Sequence, residues 1–169
     1  MEQQPVVDTI ETGVAPIALV IAIQSSGVSR PVLDKVEKIG SMIEPLVTGE
    51  RGCAAVISFT DRLTWQARCT NDADAIENAL HHIQPGGALQ DHMLDAVQES
   101  VDYLRVFQGS RRILLLISET KDRGSSIALA KAVMNAQAAG ISVYAATYSA
   151  FQTAFTLNPV TKIRACETQ

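Results

Sequence analysis

The sequence predicts a three-layer α/β fold, with an open sheet that is mainly parallel, carries one antiparallel edge strand and has helices on both faces. Three observations predict it. Apolar runs of strand length recur at IALVIAI (17–23), CAAVISF (53–59), RRILLLIS (111–118) and ISVYAATYS (141–149). Continuous runs of this kind belong to strands covered on both sides. Segments with apolar residues at helical spacing separate most of them. Where no helix intervenes, the turn Thr60-Asp61-Arg62 leads straight into LTWQARC (63–69), whose alternating apolar and polar residues mark a half-exposed strand. So short a link forces an antiparallel pair, which places this third strand at a sheet edge. Strands alternating with helices give an open, Rossmann-like sheet.

The elements follow in order. The first strand stops at Gln24 and opens into Ser25-Ser26-Gly27-Val28-Ser29. Ser29 and Pro31 supply a cap and an early helical proline, after which Val32, Leu33, Val36, Ile39, Ile43, Leu46 and Val47 recur at helical spacing until Gly49 and Gly52. Beyond the hairpin, Asn71 or Asp72 caps a short helix carrying Ala75, Ile76, Ala79, Leu80 and Ile83, and Pro85-Gly86-Gly87 breaks it. A longer helix starts near Gln90, with Met93, Leu94, Val97, Val101 and Leu104 on one face. The loop SETKDRGSS (118–126) leads to an Ala-rich helix that Ser125 or Ser126 starts and Gly140 ends. This divides the chain into an N-terminal extension (1–14), a globular domain (15–150) and a C-terminal segment (151–169). In that segment Phe151, Phe155 and Leu157 form a short closing helix or pack loosely. Were the domain truncated there, the outer side of the fifth strand would be an edge open to self-association.

Composition narrows the function. A chain of 169 residues with 47% hydrophobic and 19% charged residues is one globular domain rather than a disordered segment. A net charge of −4 and no basic stripe argue against nucleic acid as a partner. The longest apolar run is too short to span a bilayer, so no direct membrane insertion is expected. The stretch MEQQPVVDTIETG lacks the basic cluster of a signal peptide, and localisation stays open.

Enzyme chemistry finds no foothold. Ser25 and Ser26 follow a strand, but no G-x-S-x-G elbow is present, and Asp91-His92 is an adjacent pair without a triad. Gly27 alone makes no phosphate-cradling loop, and no Walker lysine follows it. His81 and His82 sit late in the short helix, where a cationic ring suits the last turn. The three cysteines, Cys53, Cys69 and Cys166, form no CxxC and share no ligand spacing with the histidines. With a hairpin loop of residues 60–62, Phe59 pairs with Leu63 and Cys53 faces Cys69; a shorter loop puts Cys69 on the other face. The pair is then either a disulfide, which needs an oxidising compartment, or two small apolar fillers.

In open α/β sheets ligands sit outside the carboxyl ends of the strands, here at the loops 24–29, 85–91 and 118–125. The order of strand, loop and helix, the FTDR hairpin, PGG before a long helix, LLLIS followed by an acidic residue, and AQAAGISVYA resemble a von Willebrand factor type A domain over about residues 15–150. VISFTDRLTW and NAQAAGISVYAATY carry the resemblance most strongly. The resemblance implies a protein-binding, adhesion-type module, whose fully equipped members hold a divalent cation through Asp-x-Ser-x-Ser, a Thr after Gly-Gly and an Asp after the fourth strand. Such a site suits Mg²⁺ or Mn²⁺, which prefer oxygen ligands. Carried over residue by residue, Gln24 stands at the first Asp, Ser26 keeps the first Ser and Val28 replaces the second. Ala88 stands where the Thr belongs, and Glu119 replaces the last Asp.

The resemblance therefore implies a lost or reshaped site, with Gln24, Ser26 and Glu119 as remaining ligands and affinity for a cation in the millimolar range or weaker, about what extracellular modules show at their weakest. Expected partner-binding positions are Gln24, Ser25, Ser26, Val28, Ala88, Asp91, Glu119 and Asp122, toward a protein of unknown identity. Asp91, His92 and Asp122 could rebuild a different metal site; the plainer expectation is that Asp91 opens a helix and Asp122 is solvated loop. Two other readings are a noncanonical cation-dependent site using Ser26, Glu119 and Asp91, and an assembly role for the edge strand Leu63–Cys69, with Trp65 as its test.

Overall fold

The computed structural model describes residues 15–29, 33, 36, 52–87 and 90–148; for Val28 it describes the backbone alone. Strands β1 (Ile17–Gln24), β2 (Cys53–Phe59), β3 (Leu63–Thr70), β4 (Arg111–Glu119) and β5 (Ser142–Tyr148) form one sheet in the order β3-β2-β1-β4-β5. Every pair is parallel except β2 with β3. Strand β1 lies at the centre, in register with β2 from Ala18↔Cys53 to Gln24↔Phe59 and with β4 from Ile17↔Arg111 to Ile23↔Ile117. Its burial explains its unbroken apolar sequence, since residues on both pleats must be covered.

The pleat divides the core in two. Ala18, Val20, Ala22, Ala55, Ile57, Phe59, Leu114 and Leu116 face helices α2 (Met93–Leu104) and α3 (Leu129–Ala138), packing on Ala96, Val97, Val101, Leu104, Ala132 and Ala136. Leu19, Ile21, Ile23, Ala54 and Val56 point the other way, onto Ile76, Ala79 and Leu80 of α1 (Ala73–His81) and onto Ile83, Leu33 and Val36. Those last two are helical and buried, in the segment predicted as the first helix; its remaining positions, the N-terminal extension and the C-terminal segment with Phe151, Phe155, Leu157 and Cys166 lie outside the described residues.

Local signals set most boundaries. Asp72 caps α1, accepting the N–H groups of Asp74 at 3.0 Å and Ala75 at 3.2 Å. Gly140 closes α3 with φ of 61°, a conformation that costs glycine little. Two expectations need correction. The long helix begins at Met93, not near Gln90, and the Ala-rich helix begins at Leu129 with Ala128 as an N-cap that offers no side-chain bond. Ser125 and Ser126 are spent elsewhere, as described below.

The two sheet edges differ. On β3, Trp65 lies 4.5 Å from the ring of Tyr103 on α2, the Arg68 guanidinium stacks 4.5 Å from the Trp65 ring, and Tyr103 Oη accepts from the Cys69 N–H at 2.9 Å. A disulfide joins Cys53 to Cys69, with Cα atoms 5.2 Å apart. Phe59 pairs with Leu63, but the ladder slips twice, between Ala54/Val56 and between Val56/Ile57, so that Ala54 pairs with Thr70. Two single-residue slips restore the original face, and Cys53 meets Cys69 diagonally rather than directly. Strand β5 has exposed side chains from Ser142 to Thr147 and carries no charge.

Candidate partner-binding loop face

The site grows from the end of β1. The chain runs on from β1 to β2 on one side and from the adjacent β4 to β5 on the other, so the strand order reverses between β1 and β4, the place where open α/β sheets form a crevice. Three loops meet there. Ser25 N–H donates to Phe59 O at 2.9 Å, Gly86 N–H to Ser25 O at 2.6 Å and His92 N–H to Thr60 O at 2.8 Å. Gly27 allows the close approach, because a Cβ at that position would lie 3.3 Å from Gly86 O.

Gln24 is 1% exposed and holds the centre. Its Oε1 accepts the backbone N–H of Glu119 at 2.7 Å, and its Nε2 donates to Ser26 Oγ at 2.9 Å and to Asp91 Oδ2 at 2.8 Å. The backbone donor fixes the amide's orientation, since only the oxygen can receive it. Both amide hydrogens then point at oxygens. From Ser26 the chain of hydroxyls continues to Ser29 Oγ at 3.2 Å and on to Tyr148 Oη at 2.6 Å. Burial pushes the Tyr148 phenol up to about 12, against the opposing pull of its bond to Ser29.

Asp91 contradicts its expected role as a helix opener. It lies ahead of α2, is 1% exposed and turns inward. Burial raises its carboxyl above the ordinary value, and the Arg123 guanidinium opposes the rise. Oδ2 receives Gln24 and, at 3.4 Å, Arg123 Nη1; Oδ1 is buried without a hydrogen-bond partner. The same Nη1 donates to Glu119 Oε2 at 3.0 Å, and the Arg123 N–H donates to Asp91 O at 3.2 Å. Arg123 thus ties the loop before α2 to the end of β4, with its side chain 45% exposed.

A second cluster adjoins the first. His92, the residue before α2, offers it no side-chain cap, and the neighbouring loop supplies one instead. Ser125 Oγ accepts from Leu94 N–H at 2.9 Å and Asp95 N–H at 3.1 Å, while Asp122 Oδ1 accepts from Leu94 N–H at 3.2 Å and from Ser125 Oγ at 2.6 Å. Asp122 is therefore a structural acceptor, which corrects its reading as solvated loop. Asp95 accepts the N–H groups of Ser126 and Ile127 and pairs with His92 Nδ1 at 3.1 Å. Burial alone would raise its carboxyl, but the donors from Ser126, His92 and Ile127 outweigh it and the net shift is downward.

The positions expected from sequence divide accordingly. Gln24, Ser26, Asp91 and Glu119 come together, Ser25 secures the first loop to β2, and Asp122 belongs to the adjoining cluster. Val28 lies in a 3-10 turn (Gly27–Ser29), with its side chain outside the described residues, as is the whole of Ala88. His81 pairs with Glu77 on α1 at 3.6 Å, and His82, which follows that helix, has Nδ1 2.6 Å from Asn78 O and shares a cavity with Ser25, Thr60 and Gly86. Sequence reasoning missed Ser29, Arg123, Tyr148, Asp95 and Ser125. Only Arg123 carried a signal, as a cation four residues after Glu119.

This donor set does not fit a hard divalent cation. Such an ion needs converging oxygens, preferably anionic. Here an amide aims hydrogens at Ser26 and Asp91, and a guanidinium already lies between Asp91 and Glu119. Among the described residues no three His, Cys, Asp or Glu side chains gather as a metal cluster.

No family model matches the chain, and no curated protein does. Solved structures do. The vWF domain of the type V pili tip protein Mfa5 from Porphyromonas gingivalis superposes with a TM-score of 0.57 at 12% identity, over 69% of this chain and 43% of that one. The fold is that of a von Willebrand factor type A domain. The conserved hypothetical protein BatB from Bacteroides thetaiotaomicron gives a TM-score of 0.60 at 19% identity, over 76% of this chain and 65% of its own. Proximal thread matrix protein 1 from the mussel byssus gives 0.64 at 11%, over 78% and 37%. The chain spans less than two thirds of the length of each of these structures, and at such identities the likeness concerns fold alone.

Proposed function

We propose that this chain is a non-enzymatic protein-binding module that recognises its partner through the loop face around Gln24, Ser25, Asp91, Glu119 and Arg123, without a resident cation. The observation that carries the reading is the Gln24 amide, which joins three loops through one backbone and two side-chain bonds and spends its hydrogens on the oxygens a cation would need. That structures of the same fold come from a pilus tip protein and a thread matrix protein supports an adhesive or assembly role. The Cys53–Cys69 disulfide favours action in an oxidising compartment.

A site-specific photo-crosslinker tests the reading in the source organism. Placed at exposed Asp61 or Lys121, both on the rim, it should capture one protein that exposed Lys131 on α3 does not, equally well with a chelator present. Capture from Lys131 alone, or loss of rim capture with chelator, contradicts it.

A specific observation favours a second reading, assembly through a sheet edge. The edge strand β3 is covered by Arg68 and Tyr103, whereas β5 exposes Val143 and Tyr144 and carries no charge. Uncharged open edges invite strand pairing. Self-association abolished by Val143→Lys and untouched by Trp65→Ala would establish this role; the reverse pattern would move it to β3.

A further inference from the structure

The loops of this face are bridged by positive charge, and the chain supplies that charge itself. Asp91 and Glu119 come from different loops, and both place a carboxylate oxygen on the same nitrogen, Arg123 Nη1, at 3.4 and 3.0 Å. Two buried carboxylates this close repel unless a cation lies between them. The remaining oxygen of Asp91, Oδ1, is buried and has no hydrogen-bond partner, an acceptor left over at the point where the loops meet. Gln24 completes the arrangement. Its amide donates to Asp91 where a carboxylate at the same position would repel it, so no third negative charge enters the cluster.

We propose that Arg123 and Gln24 together take the place of the divalent cation that the family resemblance implies for this face: Arg123 supplies a bridging charge, Gln24 keeps a third carboxylate out of the cluster, and Ser26, Asp91 and Glu119 remain as a latent oxygen-ligand set. The proposal deepens the cation-free reading above and rests on it. It makes the replacement reversible. Gln24→Glu is isosteric, so one oxygen can still accept the Glu119 N–H while the other turns toward Ser26 and Asp91 as a third carboxylate. Arg123→Met removes the guanidinium and keeps the apolar stem.

Calorimetric titration of Mn²⁺ into chelator-stripped protein tests it. The double variant Gln24→Glu/Arg123→Met should bind saturably and more tightly than about 1 mM, the weak end of what carboxylate sites achieve. Adding Glu119→Gln to it should abolish the binding, and Arg123→Met alone should bind more weakly than the pair. A double variant unfolded without metal should refold when Mn²⁺ is added. A folded double variant that gives no heat, or an unfolded one that Mn²⁺ does not refold, overturns the replacement while leaving the cation-free reading intact. Saturable Mn²⁺ binding by the unmodified protein overturns that reading itself.

Discussion

Asp91 and Asp95 are one helical turn apart in sequence and meet opposite electrostatic fates. Asp95 is ringed by backbone donors, and its carboxyl is held below the ordinary value despite the burial that opposes this. Asp91 is more deeply buried, shares one guanidinium nitrogen with Glu119, leaves Oδ1 unpartnered, and has its carboxyl raised. The difference teaches that burial does not by itself decide the state of an acid; the supply of N–H groups does. The Asp95 cluster is a saturated joint that fastens the loop after β4 to α2. Asp91 itself is less saturated, since one of its oxygens is buried without a donor.

The comparison can be broken in several ways. The disulfide sets the scale of a purely structural fastening. Reducing it, or Cys53→Ser with Cys69→Ser, should cost about 3 kcal/mol in urea unfolding, as expected for closure of a loop of this length. Asp95→Ala should cost about 2 kcal/mol, because it strips the acceptors of Ser126 and Ile127. Asp91→Asn should cost less than Asp95→Asn, since it relieves a buried charge while keeping an oxygen for Gln24 or Arg123. The reverse order would dissolve the distinction between the two clusters. Ser125→Ala should cost about 1 kcal/mol by uncapping α2.

Titration sharpens the same contrast. Asp95, with a lowered folded pKa, contributes stability that is present above its unfolded value of 3.8 and is lost as pH falls through the lower folded value. Asp91, with a raised folded pKa, acts in the opposite sense: its contribution is present below 3.8 and is lost as pH rises through the folded value. Unfolding midpoints of the protein and of Asp91→Asn, measured from acid to neutral pH, should therefore favour the unmodified protein most at the acid end. A difference between them that grows with pH would contradict the sign.

Much of the fold was legible because it rests on local pattern. The run from Ile17 to Ile23 announces a central strand, and the alternation from Leu63 to Cys69 an edge. The hairpin's bulges were not legible, since a register slip leaves no mark in an alternating sequence until the partner strand is known. At the site, Gln24, Ser26 and Glu119 could be located by their place after strands. For Arg123 the spacing signalled only the partner Glu119, four residues before it; its contact with Asp91, thirty-two positions earlier, depends on a loop folding back and left no mark. The capping of α2 by Ser125 and Asp122 escaped for the same reason. A cap is normally sought beside its helix, and this one comes from another loop.

The central claim concerns one amide, and side-chain ¹⁵N–¹H spectra of Gln24 address it most directly. The account predicts two Nε2–H signals that exchange slowly with solvent, respond to Asp91→Asn and do not move when Mg²⁺ is added. Rapid exchange, or a saturable shift of those signals with Mg²⁺, would show that the amide does not close the site and that a cation does.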